Sequence, residues 1–196
     1  MHRICFAVAP GFEMLDLAGP LCAFNLAKKL HGAEYEIAVS SAMGGMVEGS
    51  AGLPLPTDGP EIAHKAHTVI AIGGPTAHLP AQSAETVDVL ASVAAHRRRI
   101  ASVCTGAFFL AEAGILDGRR ATTHWRWAPL LQSRFPAISV DADRIFINDR
   151  DVWTSAGITA GIDMALALIE ADHGPGLARW IARDMVVYQR RPGGQA

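Results

Sequence analysis

Residues 100–125 of the chain read IASVCTGAFFLAEAGILDGRRATTHW. The apolar run 100–103 predicts a β-strand, and the alanine-rich segment 107–113 predicts a helix that Gly114 closes as a C-cap. Only three residues, beginning with Cys104, separate these two segments, so the chain must turn sharply between them. The stretch therefore predicts a strand, a tight turn and a helix, with a cysteine at the corner.

Cys104 is the candidate functional residue of this turn. The spacing Ser-x-Cys-x-Gly, from Ser102 to Gly106, matches a nucleophile elbow, in which a strand-to-helix turn lifts one side chain above the carboxyl edge of a sheet. The crowded corner needs a small neighbour, which Gly106 supplies. Unpaired N–H groups and the dipole at a helix N-terminus favour a thiolate. The alternative, that Cys104 is a small buried hydrophobic side chain like most free cysteines, stays open.

The three cysteines are expected to differ in reactivity. Cys5 lies in a predicted strand and Cys22 in a predicted apolar helix, where burial would raise the thiol pKa and block access. We therefore expect Cys104 to be partly exposed and the most thiolate-like of the three.

Apolar runs and helical patterns alternate along the rest of the chain. The run 68–72 is nearly continuous and predicts a central strand that is buried on both faces, whereas the segment 43–60 predicts a hairpin or irregular strands. Further strands are predicted at 3–9, 35–40, 121–123, 138–147 and 152–154. Helices are predicted at 15–30, 84–97, 160–171 and 174–187, and one more follows His124-Trp125 and ends at 132. This alternation predicts an α/β sandwich of three layers with a mainly parallel central sheet.

Candidate site residues follow three of the predicted strands. Asp16 comes after the first strand, Gly73 and Gly74 after residue 72, and Cys104 after residue 103; ligands bind at this carboxyl edge in such sheets. Asp16 could serve as a general acid/base or hold the thiolate through a hydrogen bond, or it could be the N-cap of the following helix. His124 could pair with the cysteine or form part of the pocket wall.

Composition limits the remaining possibilities. The 196 residues, 50% hydrophobic, suit one domain with a sizeable core. The net charge of −2 gives no sign of nucleic-acid binding. Three cysteines without CxxC spacing predict neither a disulfide framework nor a metal site, and no cofactor is expected. No apolar run is long enough for a membrane span, so we expect a cytoplasmic protein.

Three strings, in their order and spacing, resemble the PfpI-like (DJ-1) superfamily, which is related to class I glutamine amidotransferases. They are GFEMLDLAGP (11–20), ASVCTGAFFLAEAGILDGRRATTHW (101–125) and SAGITAGIDMALALIE (155–170). The resemblance implies a flavodoxin-like, class I glutamine amidotransferase-like fold and a homodimer. One branch, isocyanide hydratase, has a catalytic cysteine and an acidic partner that match Cys104 and Asp16, with Thr105 after the cysteine. The other branch is the sensor domain of GlxA-type regulators in the AraC family.

The last part of the sequence favours the regulator branch. Residues 178–196, ARWIARDMVVYQRRPGGQA, resemble the junction upstream of the DNA-binding domain in those regulators. We therefore expect a PfpI-like domain at 1–188 and a basic Pro/Gly linker at 189–196, leading to a helix-turn-helix domain that is absent here. DNA would be bound only through that domain.

One departure weakens the enzyme interpretation. Hydratase-like relatives end the corresponding strand in Pro-Gly-Gly, whose N–H groups can face a developing oxyanion, whereas this chain has Gly73-Gly74-Pro75, and proline offers no N–H. The leading hypothesis is a ligand-sensing domain, not an enzyme, with a small-metabolite pocket at Asp16, Gly74, Cys104 and His124. The alternative is a cysteine-dependent hydratase or lyase. A glutamine amidotransferase is weaker, because no acidic residue closely follows His124 to complete a triad.

Overall fold

The computed structural model describes residues 1–79, 84–96, 99–187 and 194–195. The strands are β1 (His2–Ala7), β2 (Tyr35–Ser40), β3 (Gly45–Glu48), β4 (Pro54–Thr57), β5 (Thr68–Ile72), β6 (Arg99–Val103), β7 (Arg120–Ala121), β8 (Ser139–Val140), β9 (Phe146–Asp149) and β10 (Val152–Ser155). The helices are α1 (Met14–His31), α2 (Glu61–Lys65), α3 (Ala84–Ala94), α4 (Gly106–Glu112), α5 (Ala128–Arg134), α6 (Ala160–His173) and α7 (Pro175–Asp184).

The central sheet has six strands in the order β2-β1-β5-β6-β10-β9, and only β9 is antiparallel to its neighbour. Counted along the chain, the five parallel strands follow the order 2-1-3-4-5, which is that of flavodoxin-like sheets. Ile72 is in register with Val103, and Val103 with Ser155. The carboxyl ends of β5, β6 and β10 therefore lie level with one another. The predicted α/β fold with a mainly parallel sheet is confirmed.

Helices cover both faces of this sheet. On one face, Phe24 of α1, Leu168 of α6 and Ile181 of α7 pack on alternate strand residues such as Phe6 and Ile70. On the other face, helices α2 to α5 pack on the intervening strand residues. The interior strand β5 is buried at all five positions. A run of that kind has no polar alternation because both of its faces are covered.

Some predicted boundaries differ from the structure. The predicted strand 138–147 is two strands, because β8 pairs with β7 while β9 pairs with β10 in the main sheet. Helix α4 ends at Glu112, and Gly114 lies one position beyond its C-cap residue, with a φ of 71°. The predicted hairpin is confirmed as the antiparallel pair β3–β4.

Two predictions fall partly on residues that the structure does not describe. The predicted helix 84–97 ends in the structure at Ala94, and Arg97 lies outside the described residues. The predicted linker 189–196 also lies outside them, except for Gly194 and Gln195. Within the described ranges, no helix is long and apolar enough to cross a membrane.

Candidate functional site

Four strand ends, rather than the predicted three, meet at the carboxyl edge of the sheet. The chain leaves β1 toward α1, β5 toward a glycine turn, β6 toward α4, and β10 toward α6. The fourth, β10, lies beside β6 in the sheet although about fifty residues separate the two along the chain. Residues after all four strands therefore surround one crevice, the position where open α/β sheets bind ligands.

Cys104 stands between β6 and α4 with a φ of 58°, a left-handed conformation that few non-glycine residues adopt. Its backbone N–H donates to Ser155 O at 3.0 Å, which fixes the corner against β10. Gly106 allows the close packing, since a Cβ there would contact the carbonyl of Ala71. The residue is only 8% exposed. Cys104 thus lies at the strained strand-to-helix corner that the first interpretation predicted, and it is buried, as the alternative interpretation predicted.

Asp16 lies in the first turn of α1 and is fully buried. Its Oδ1 accepts a hydrogen bond of 2.5 Å from the backbone N–H of Ile158. The Cys104 thiol interacts with the carboxyl electrostatically, although Oδ2 has no hydrogen-bond partner among the described residues. Burial raises the pKa of Asp16 to about 7, against the lowering effect of these two contacts. The alternative N-cap role is wrong, because Glu13 is the N-cap of α1 and accepts from Leu15 N.

The expectation that Cys104 is thiolate-like is also wrong. Burial, followed by the charge of Asp16, raises the pKa of the thiol well above its ordinary range, although the Thr105 N–H acts in the opposite direction. The helix that starts at Gly106 has only seven residues. At neutral pH the thiol therefore keeps its proton, next to an Asp16 carboxyl that is partly protonated.

The other two cysteines differ from each other. Cys5 is buried, and burial raises its pKa to about 11 even though it contacts Ser40 Oγ at 3.0 Å. Cys22 is exposed, which contradicts the prediction. It lies in α1 outside the buried stripe that includes Gly19, Ala23 and Ala27, so its position in an apolar helix did not imply burial.

The turn Gly73-Gly74-Pro75 presents no spare backbone donor to the thiol. Gly73 N–H donates to Val103 O at 3.0 Å, and Gly74 N–H donates to Thr105 Oγ1 at 2.9 Å. The Thr105 hydroxyl in turn donates to Gly74 O at 2.7 Å. Pro75 has no N–H. The three predicted residues Gly73, Gly74 and Thr105 are thus brought together, but they bond to one another and to the sheet.

Gly157 and Ile158, after β10, are parts of the site that sequence reasoning missed. A side chain at Gly157, whose φ is 96°, would meet Cys104 Sγ at 2.7 Å. Ile158 has a φ of 50°, a genuine outlier for a β-branched residue. Its N–H bond to Asp16 holds this geometry. The glycine in the string SAGIT was the available signal, since a glycine directly after a strand often marks a close approach.

A cavity of about 250 Å³ opens beside the thiol. Its lining combines carboxylate, guanidinium, imidazole and aromatic side chains: Glu13, Gly74, Pro75, Cys104, Thr105, His124, Arg126, Trp127 and Ile158. Burial and the nearby Arg126 charge lower the pKa of His124, so its ring is neutral at pH 7. No hydrogen bond joins His124 to Cys104 in the described part of the chain, and their side chains share only the cavity wall. Nor do the described residues include a group of three or more side chains that could hold a metal ion.

Comparisons with known proteins agree with this architecture. The DJ-1/PfpI family model matches residues 2–171, and the chain belongs to that family. The transcriptional regulator CdhR of Pseudomonas aeruginosa, described as HTH-type, is 35% identical over 188 residues, which cover 95% of this chain and 55% of the regulator. Isonitrile hydratase of Pseudomonas putida is 36% identical over 169 residues, covering 86% of this chain and 71% of the enzyme.

A solved AraC family transcriptional regulator from Pseudomonas putida superposes with a TM-score of 0.86 at 23% identity, covering 94% of this chain and 100% of that one. At this identity the likeness shows the fold. The resemblance to the PfpI-like superfamily, with regulators and an isonitrile hydratase as relatives, is confirmed. The chain spans about half the length of the regulators it matches.

Proposed function

We propose that this domain binds a small metabolite in the cavity beside Cys104 and serves as the sensor domain of a transcriptional regulator of the AraC type. The regulators among its relatives support the class. Within the proposal, the domain acts as a homodimer, and residues 189–196 link it to a helix-turn-helix domain that makes the DNA contacts. The coding sequence downstream of Ala196 tests this organisation directly, and a stop codon there would contradict it.

The observation that carries the proposal is the lack of a spare donor in the glycine turn. Acyl- and carbon-transfer enzymes stabilise developing negative charge with preorganised N–H groups, and removing one such donor costs about a hundredfold or more in rate. Here Gly74 N–H is engaged by Thr105, and Pro75 has none. A protonated thiol is in addition a poor nucleophile. Both features favour binding over turnover.

The test is an assay for hydration of an alkyl isonitrile to its formamide, with the Pseudomonas putida hydratase as positive control. We expect no turnover by the wild-type chain above that of Cys104→Ser. In parallel, the fluorescence of Trp127, which lines the cavity, should change when a small metabolite binds. Turnover at a rate comparable to that of the hydratase would overturn the proposal.

A second candidate is a hydratase or lyase, and one contact favours it. The carboxyl of Asp16 interacts with the thiol and has a pKa of about 7, the range in which a general acid/base is most effective. In this case Cys104 is the nucleophile and Asp16 relays its proton, with Thr105 holding the glycine turn. Pro75→Gly, which restores an N–H at that position, separates the two candidates: it should raise an existing hydratase rate, and it creates no rate in a pure sensor.

A further inference from the structure

The carboxamide of Gln195 occupies a polar notch on the main body of the domain. Its Oε1 accepts from Trp125 N at 2.8 Å, and its Nε2 donates to Thr123 O at 2.9 Å and to Arg144 O at 3.0 Å. Nε2 also lies 3.1 Å from Thr122 Oγ1, and the backbone N–H of Gln195 donates to Asp143 O at 2.9 Å. Both the oxygen and the nitrogen of the Gln195 side-chain amide thus make hydrogen bonds, and their partners come from two separate segments of the chain.

The walls of the notch are also held by hydrogen bonds that do not involve Gln195. Thr122 and Thr123 are fully buried, and Thr122 N–H donates to Thr154 Oγ1 at 2.9 Å, which ties the notch to β10. Thr122 Oγ1 donates to Arg144 O at 3.1 Å, which joins its two walls. The acceptors are mostly backbone carbonyls, from the segments that follow β7 and precede β9. These carbonyls need a hydrogen-bond donor, whereas the N–H of Trp125 needs an acceptor. A primary carboxamide supplies a donor and an acceptor in one group.

The same segment touches the Cys104 corner. Thr123 presents its carbonyl to Gln195 and donates its hydroxyl to Cys104 O at 2.7 Å. The next residue, His124, lines the cavity beside the thiol and a second cavity of about 170 Å³ that Gln195 borders. Ile158 also lines both cavities. The notch and the thiol cavity therefore share two wall residues and one hydrogen-bonded connection.

We propose that the notch formed by Thr122, Thr123, Trp125 and Arg144 is a carboxamide-binding site for Gln195 of this chain, and that its occupation holds the 122–125 segment against the Cys104 corner. The inference stands whether the cavity senses or catalyses, because it needs only the contacts of Gln195. A carboxylate would place negative charge against several carbonyl oxygens, so Gln195→Glu removes the occupant with little change of size.

The first measurement is NMR of the full chain, with the Gln195 side-chain amide assigned as the signal lost in Gln195→Glu. We expect this amide to have shifts away from those of a free glutamine, contacts to Thr122 or Thr123, and slow solvent exchange. The Trp125 backbone amide should shift in the variant, since it loses its acceptor. A sharp Gln195 amide at free-glutamine shifts would overturn the site.

The second measurement is the rate at which an alkylating agent modifies Cys104. Release of the segment by Gln195→Glu should raise this rate several-fold, because local opening of the corner exposes the thiol. Gln132→Glu is the matched control. Gln132 Nε2 donates to Ile138 O and Gln132 Oε1 accepts from Val140 N, away from the cavity. An unchanged rate in Gln195→Glu, or an equal change in Gln132→Glu, would overturn the coupling.

Discussion

Cys104 and Asp16 form one ionisable unit at a buried corner, and each decides what the other can do. The carboxyl is fully buried and the thiol nearly so. A negative charge on Asp16 opposes a second charge on sulfur, and burial opposes both. The unit therefore favours states that carry at most one negative charge, and the charge of Asp16 lowers the reactivity of the thiol.

We predict that Cys22 is the first cysteine to be alkylated near neutral pH. Cys22 is exposed, whereas burial and Asp16 raise the pKa of Cys104 and burial raises that of Cys5. Each pKa unit lowers the thiolate fraction about tenfold, so we expect at least about a tenfold difference in rate. Peptide mapping after limited alkylation measures the order, and faster labelling of Cys104 would show that its pKa is not raised.

Asp16→Asn should accelerate the modification of Cys104. The substitution removes the charge that raises the pKa of the thiol and keeps a side chain of the same size. Asp88→Asn is the control, since Asp88 is an exposed acidic residue on α3. Equal Cys104 rates in the wild-type chain and in both variants would mean that the Asp16 charge does not act on the thiol.

Gly157→Ala should disrupt the corner. An added Cβ would lie 2.7 Å from Cys104 Sγ, at a residue whose φ of 96° already disfavours a side chain. Overpacking of this kind costs about 1–3 kcal/mol. Gly176→Ala, where nothing lies within 4 Å of the new Cβ, should leave stability nearly unchanged. Chemical denaturation of the two variants measures the difference, and equal stabilities would contradict the close contact.

At the scale of elements, the local sequence pattern predicted the segments whose bounds do not depend on which strand they pair with. The run 68–72 was predicted with its observed bounds because a strand covered on both faces is apolar at every position. The strands β7 and β8 have two residues each and are defined by their pairing with each other. The local sequence therefore does not indicate where they begin and end.

In the candidate site, too, some residues could be predicted from local sequence and others depend on the tertiary structure. Asp16, Gly74 and Cys104 could be found because each lies in the segment that follows a strand that the sequence shows. Ile158 could not, since its role depends on β10 lying beside β6 and on a backbone conformation that isoleucine disfavours. The exposure of Cys22 depends on which face of α1 the sheet covers, and the nearly all-round apolar sequence of that helix does not reveal the face.

Phe24 is the residue through which α1 is expected to hold most tightly to the sheet. Its ring is fully buried and lies edge-on to Tyr35 at 5.1 Å and to Phe6 at 6.2 Å. Phe24→Ala should lower the free energy of unfolding by about 3–5 kcal/mol. Leu30→Ala on the same helix, at a residue 63% exposed, should change it by less than about 0.5 kcal/mol. Urea denaturation compares them, and similar losses would contradict the packing.

For the whole molecule, Asp16 should make stability fall as the pH rises. Its pKa is about 7 in the folded state and 3.8 ordinarily, so folding favours the protonated carboxyl. The stabilising contribution is complete below about pH 4 and is lost between about pH 4 and 7, on the order of 4 kcal/mol at about 1.4 kcal/mol per pKa unit. Asp16→Asn lacks this titration.

The difference in unfolding free energy between the wild-type chain and Asp16→Asn therefore isolates this carboxyl. Other groups cancel in the difference, including Asp172, whose pKa Arg99 and Tyr35 hold below its usual range although burial opposes them. Urea denaturation from pH 4.5 to pH 8 should show the wild type losing stability relative to the variant. Parallel curves would mean that Asp16 ionises without cost in the folded protein.

The left-handed conformation of Ile158 also bears on how such a chain can change over generations. A β-branched residue held there gives up on the order of 1–3 kcal/mol, and a substitution to glycine or asparagine would relieve most of that strain. A lineage under selection for thermal robustness alone would be expected to make that substitution. Keeping isoleucine instead preserves an apolar wall at the mouth of the cavity. The residue found at this position in related chains would therefore distinguish selection for ligand binding from selection for stability of the fold.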